Sequence, residues 1–191
     1  MQRQTGKEKK QKGVKKQPTK IKATAKNFWY KRNIIILTAI IITGIAVYYL
    51  FFKKNSEPEF VKEGEVTFIN KDTKKQIAKI DVEAAITIDE QLQGMMYRSH
   101  IDENKGMLFI YPEESRQAFW MANTLIPLDI AFIEAKGKID TIYRFAKPLD
   151  STSLPSRKKI QFVVETNGGF SDRHGIKEGD LIEYKLLPGA K

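Results

Sequence analysis

The sequence predicts a mainly β domain, a compact antiparallel sandwich or distorted barrel with one or two short helices, preceded by one transmembrane helix. Three observations predict it. The 191 residues include an uncharged apolar run near the N-terminus. Beyond that run, short apolar or alternating segments recur between turn-forming Gly, Pro, Asn and Asp. The charge is also split: the net +10 of the whole chain is confined to its first third.

Residues 1–32 hold twelve Lys/Arg against the single acid Glu8, and Lys53 and Lys54 follow the apolar run. Residues 55–191 carry 19 basic and 22 acidic residues, a net −3. The basicity therefore belongs to a tail poor in apolar side chains, and residues 1–33 are expected to form a disordered basic cytoplasmic tail. Lysines without interleaved aromatics give only counterion-release affinity for nucleic acid, so attraction to anionic lipid headgroups is the expected role of the tail. The absence of cysteine excludes disulfide scaffolds, thiol nucleophiles and iron–sulfur sites.

Residues 34–52 are expected to cross the lipid bilayer. A helix of that length spans about 28 Å, close to the ~30 Å hydrocarbon core. Aromatic residues flank it, with Phe28, Trp29 and Tyr30 before and Tyr48, Tyr49, Phe51 and Phe52 at its end. The basic excess before the helix predicts a cytoplasmic N-terminus and an extracytoplasmic C-terminal domain at the cell (inner) membrane. The apolar run exceeds a typical signal core and lacks a small-residue cleavage site, so it reads as an uncleaved anchor. Residues 53–59 form a polar linker, and residues 60–191 form the extracytoplasmic domain.

Within that domain Glu65–Ile69 and Gln76–Ala85 read as strands joined by Asn70-Lys71-Asp72. In the second, Ile80, Val82 and Ala84 alternate with Asp81 and Glu83, the pattern of a half-buried strand. Thr87 with Glu90 forms a capping box, and Ile88, Leu92, Met95 and Met96 recur at helical spacing, which predicts a helix over 88–96. Further strands are expected at Met107–Tyr111, stopped by Pro112, and at Gln117–Met121, Leu128–Glu134 and Ile139–Phe145, the last two joined through Lys136-Gly137. A polar loop over Lys147–Lys159 separates these from the strands Ile160–Thr166 and Leu181–Leu186. Between those two, Ser171 is expected to cap one helical turn that Gly175 stops.

Chemistry-bearing residues cluster in FWMANTLIPLD, residues 119–129. Arg98, Trp120, Asn123, Asp129 and Glu165 are the candidate ligand-binding set: Arg98 for an anionic group, Trp120 for stacking, Asn123 and the carboxylates for orienting hydroxyls. The alternative for each is structural, with Trp120 in the core, Asn123 holding a turn, Asp129 accepting backbone N–H groups and Glu165 paired with Arg98 or Lys158. Asp129, Glu165 and Asp180 are weak catalytic candidates, since burial beside apolar strands raises a carboxyl pKa. No metal site is expected from His100 and His174, which lie far apart in sequence. No cofactor is expected either: GxGxxG and GxxxxGK[ST] are missing, and Ser171 sits in no GxSxG.

Gly94-Met95-Met96-Tyr97-Arg98, Gly106-Met107-Leu108-Phe109, the string from Phe119 to Ile130, Val164-Glu165-Thr166-Asn167-Gly168-Gly169 and Gly175-Ile176-Lys177-Glu178-Gly179-Asp180 together resemble domain-of-unknown-function family 192. The resemblance covers roughly residues 64–186. It implies a compact, mainly β domain, commonly exported behind a signal or anchor, with no established enzymatic activity. Family members often carry cysteines in the loop equivalent to Lys147–Lys159; here there are none, so no redox role is carried over. The function expected is an anchored extracytoplasmic domain that binds a small polar ligand or an envelope component or protein. The rivals are an envelope glycan hydrolase using two carboxylates and a non-catalytic structural accessory.

Overall fold

The computed structural model describes residues 21–51 and 57–189. It falls into two units, residues 1–54 and 55–191.

The first unit is helix α1, Ile21–Phe51. It starts well before the expected membrane span, so residues 21–33 are helical where a disordered tail is expected. No proline or glycine lies between Ile21 and the apolar run, and once a helix is nucleated, propagation through Lys and Ala costs little. The expected tail over residues 1–20 lies outside the described residues. Trp29–Leu50, 22 residues, is long and apolar enough to cross a membrane, and its apolar side chains are exposed on every side. The Thr38 and Thr43 hydroxyls donate back to the Ile34, Ile35 and Ala39 carbonyls, so the polar side chains of the apolar stretch satisfy themselves internally.

The second unit is built on β1 (Gly64–Ile69), β2 (Gln76–Ala85), α2 (Ile88–Gln93), β3 (Lys105–Ser115), β4 (Ala118–Phe119), β5 (Leu128–Ile133), β6 (Ile139–Ala146), β7 (Leu154–Pro155), β8 (Ile160–Asn167), α3 (Phe170–His174) and β9 (Leu181–Leu186). Seven strands form one sheet in the order β6-β5-β8-β3-β2-β1-β9, and β4 pairs with β7 in a small second sheet. All pairs are antiparallel except β2 with β3, which α2 connects. The two edges approach through a bridge between Lys138 and Leu181 but do not close a barrel.

Both faces of the sheet are covered. One core gathers Val66, Phe68, Leu108, Ala131, Val164 and Phe170; the other gathers Met95, Phe109, Ile130, Phe132 and Val163. This explains why β5 (LDIAFI) is buried at every position, a continuous apolar run rather than an alternating one.

Several elements depart from expectation. α2 stops at Gln93, because Gly94 takes φ +46° and turns Met95 and Met96 out of the helical path. β3 runs through Pro112 to Ser115, and its pairing with β8 shifts between Ile110 and Ser115, where the proline N–H is missing. Only Ala118–Phe119 of the expected Gln117–Met121 strand is paired, and its partner β7 lies inside the expected loop. α3 starts from Gly169 at φ +82°; Ser171 is not its cap but donates its N–H to Asp129. The linker's last residues also join the domain, since the Glu57 carboxylate accepts from the Ser99 N–H and hydroxyl at 2.7 and 2.8 Å.

Asp129 holds three segments together. Its Oδ1 accepts the N–H groups of Phe145 (2.9 Å) and Gly169 (2.8 Å), and its Oδ2 accepts that of Ser171 (2.8 Å). Asp129→Ala leaves three donors without an acceptor and is expected to cost roughly 3–6 kcal/mol, with Asp129→Asn milder. Thermal or urea unfolding of the full chain in neutral detergent measures this; a loss below about 1 kcal/mol contradicts the assignment.

Candidate functional site

A cleft of about 290 Å³ opens beside α2. One wall is α2 and the turn after it, with Ile88, Gln91, Leu92, Gly94 and Met95; the opposite wall comes from β3 and the β4 segment, with Phe109, Tyr111, Gln117, Phe119 and Trp120. Among the described residues Glu165 is the only one lining the cleft that carries a carboxyl group. It reaches the cleft because β8 lies between β3 and β5, which places Glu165 opposite Met107 on one side and Ile130 on the other. Strand alternation sends its side chain to the α2 face and those of Val164 and Thr166 to the other.

Glu165 is 4% exposed, and its Oε2 has no hydrogen-bond partner. Burial pushes its pKa from the ordinary 4.5 up to about 8, against the opposing pull of the Arg98 charge and the Met95 N–H. Burial, reinforced by the charge of Glu165, also raises the Tyr111 hydroxyl to about 12. At neutral pH the cleft therefore holds a mostly protonated carboxylic acid and a neutral phenol.

Two of the other polar side chains in the walls, Gln91 and Gln117, are already engaged. The Gln91 side-chain amide donates to the carbonyls of Ala85, Ile86 and Ile110, and the Gln117 amide donates to the Ser115 hydroxyl. Gly94 lies directly over the acid: a Cβ there would meet the Phe109 ring at 3.2 Å and Glu165 Oε2 at 3.7 Å. At the mouth, Ile88 is 75% exposed, Leu92 56% and Trp120 45%.

The five expected ligand-binding residues do not converge. Glu165 and Trp120 share the cleft. Arg98 is buried behind it, with its Nη2 2.6 Å from Glu83 Oε2. That pairing corrects both expectations for Arg98, since it neither faces an incoming anion nor forms an ion pair with Glu165. Lys158, the other expected partner of Glu165, pairs with Glu134 and Asp140. Asn123 takes φ +60° in a turn, where its carbonyl accepts the Tyr97 N–H; its side chain is exposed and does not line the cleft. Asp129 serves the three backbone donors already described.

Asp180 is structural in the same way, accepting the Lys71 and Lys177 N–H groups at 2.9 and 2.8 Å. Asp129, Glu165 and Asp180 thus do not meet in one cleft. Among the described residues no three His, Cys, Asp or Glu side chains gather as a metal ion requires.

Sequence reasoning missed Phe109, Tyr111 and Gln91 as cleft residues. Phe109 and Tyr111 read as an ordinary apolar strand. A usable signal lay in α2: Ile88 and Leu92 sit four residues apart on a helix too short to bury them.

The DUF192 family model, described as an uncharacterized ACR, matches residues 68–184. The chain belongs to the DUF192 family. The DUF192 domain is similar to the crystal structure of a protein of unknown function from Novosphingobium aromaticivorans DSM 12444, with 37% identity and a TM-score of 0.59, over 62% of this chain and 83% of that one. It is also similar to a crystal structure from Sinorhizobium meliloti 1021, described as that of a candidate transcription regulator, with 34% identity and a TM-score of 0.62, over 68% of this chain and 98% of that one. No curated protein matches the chain.

The raised pKa of Glu165 links the stability of the DUF192 domain to pH. The folded state holds this proton up to about pH 8, whereas the unfolded chain releases it near 4.5. The contribution of the protonated group is therefore complete below about pH 4.5 and is lost as pH rises toward 8. Relative to Glu165→Gln, the wild type should lose stability by on the order of 1 kcal/mol per pH unit across that window. Paired melting curves at pH 5, 6.5 and 8 check this; a pH-independent difference contradicts it.

Proposed function

We infer that the DUF192 domain is a small-ligand-binding module, held at the extracytoplasmic face of a membrane by α1. The observation that carries the reading is the Glu165 carboxyl, buried at an open, largely apolar cleft with Oε2 unpartnered. A buried polar atom without a partner costs free energy in the empty domain, and a ligand that supplies the partner recovers it. The half-exposed Trp120 at the mouth offers a flat apolar face for the same ligand. Concave apolar walls with very few convergent polar groups are what small-molecule sites commonly present.

The two rivals find less support. A glycoside hydrolase needs two carboxyl groups about 5–10 Å apart across one opening, and Glu165 alone lines this cleft. A purely structural role accounts for Asp129 and Asp180 but leaves the unpartnered Glu165 oxygen and the exposed Ile88, Leu92 and Trp120 unexplained.

The location rests on α1, with 22 residues long and apolar enough to span, and on the charge asymmetry on either side of it. The twelve Lys/Arg before the span favour a cytoplasmic N-terminus, where they also face anionic lipid. The domain beyond the span carries a net −3.

Two experiments test these readings. A thermal-shift screen of the full chain in neutral detergent, across sugars, nucleotides, amines and envelope fragments, is expected to yield a stabilising compound. At 100 times its dissociation constant such a compound adds about 2.7 kcal/mol. Ala118→Trp, at an exposed lining position, fills the mouth and should abolish the shift without lowering the unliganded melting temperature; equal stabilisation of this variant moves the site elsewhere. For topology, a reporter enzyme active only after export, fused behind Lys191, should be active in the membrane fraction. An inactive fusion there reverses the orientation.

A further inference from the structure

We propose that the ligand of the Glu165 cleft is an organic ammonium ion, held by the Glu165 carboxylate and by the aromatic rings around it. This rests on the cleft-binding reading above and names the ligand's chemistry. The first support is the local charge. Among the described residues no Lys, Arg or His lines the cleft; the ionisable groups there are Glu165 and Tyr111. The nearest buried cation, Arg98, is committed to Glu83, and both of those side chains are buried. An ionised Glu165 therefore leaves the interior one negative charge in excess, and an entering cation cancels it.

The second support is the composition of the walls. Phe109, Tyr111, Phe119 and Trp120 all line the cleft, and aromatic faces attract alkylammonium groups while excluding the water that would weaken the ion pair. The third is the occupancy of the polar atoms. The Gln91 and Gln117 side-chain amides already donate to protein oxygens, whereas Glu165 Oε2, buried and an acceptor when ionised, has no partner.

An ammonium ligand must displace the Glu165 proton, which gives the class a signature. The groups facing Glu165 are Tyr111 from β3, Arg98 from the segment after α2, and Glu83 from β2 through Arg98. On β5 its neighbour is the apolar Ile130, and the α2 carboxylate of Glu90 is turned to the Ile86 and Thr87 N–H groups. Tyr111 stays protonated to about pH 12, so of the two ionisable side chains lining the cleft Glu165 alone titrates between pH 5 and 9. Binding of a cation then strengthens about tenfold per pH unit up to about pH 8 and levels off above it. A neutral acceptor ligand, which needs the protonated acid, binds with nearly constant affinity below about pH 8 and weakens above it.

The test uses the full chain in neutral maltoside detergent with Trp29→Phe, so that Trp120 is the sole tryptophan and its selectively excited emission reports binding. The probes are benzylammonium, its neutral isostere benzyl alcohol, choline and glycerophosphocholine, each titrated at pH 6, 7 and 8. The expected result is that benzylammonium or choline binds at least tenfold more tightly than benzyl alcohol at pH 8 and gains about tenfold per unit from pH 6. Glu165→Gln should remove that preference and the pH slope while leaving weak alcohol binding in place. Preference for glycerophosphocholine over choline assigns the ammonium to a lipid headgroup, and the reverse to a free amine.

Benzyl alcohol binding as tightly as the amines at pH 8, or amine binding that does not strengthen from pH 6 to pH 8, overturns the ammonium assignment and leaves the cleft a binding site. If no probe perturbs Trp120 and the broader thermal-shift screen finds a neutral ligand, the ammonium assignment again falls alone. If the screen also finds nothing, both readings fall.

Discussion

The DUF192 domain depends on how a strand buried at every position ends. β5 carries Leu128–Ile133 through the middle of both cores, and Asp129 is its one charged residue. A carboxylate in such a place is tolerable only if its oxygens are filled. Here they are filled by donors from the end of β6, the turn after β8 and the first turn of α3. The same three contacts fix how β8 leaves the sheet, and β8 carries Glu165. The positive φ of Gly169 is part of this arrangement, since a Cβ there would lie 2.3 Å from the Phe145 ring.

Against Asp129, Glu165 shows how differently one sheet treats two buried acids. They lie one register step apart, Asp129 opposite Thr166 and Ile130 opposite Glu165, with side chains on opposite faces. Asp129 points toward free N–H groups at strand ends. Glu165 points from mid-sheet, where strand pairing has consumed the backbone donors, into a space bounded by apolar and aromatic side chains. The domain tolerates it by keeping it protonated. Arg98, which could have supplied a counter-charge, is held by Glu83, whose other oxygen accepts the Val61 N–H at 3.0 Å.

Much of the fold was legible in the sequence because its signals are local. The Thr87–Glu90 capping box, the alternation from Ala78 to Val82 and the Lys136-Gly137 turn each stand where short-range chemistry places them, whereas Val82–Ala85 is buried throughout, Glu83 included. The parallel pairing of β2 with β3 was not legible, since it depends on which edge of β2 remains open once β1 has paired with it. The fate of Arg98 was hidden for the same reason. Glu83 and Glu165 both lie on strands whose neighbours follow only from topology, so nothing short-range shows which acid takes the guanidinium. Trp120 and Glu165 were legible as candidates through their strings; that they share a cleft while Asn123 and Asp129 do not is a consequence of the turn at Asn123.

The cleft and the stability of the domain are therefore linked through one proton. Folded domains are stable by only about 5–15 kcal/mol, and ionising Glu165 in the empty cleft consumes several pH units' worth of that margin at about 1.4 kcal/mol each. An ionised Glu165 is consequently rare unless something arrives to balance it. The energetic separation between an empty, protonated cleft and a filled, ionised one is set by the same burial that raises the acid's pKa. The turn at Gly94 leaves Ile88 and Leu92 exposed at the rim of the cleft, while Glu165 in its wall stays 4% exposed.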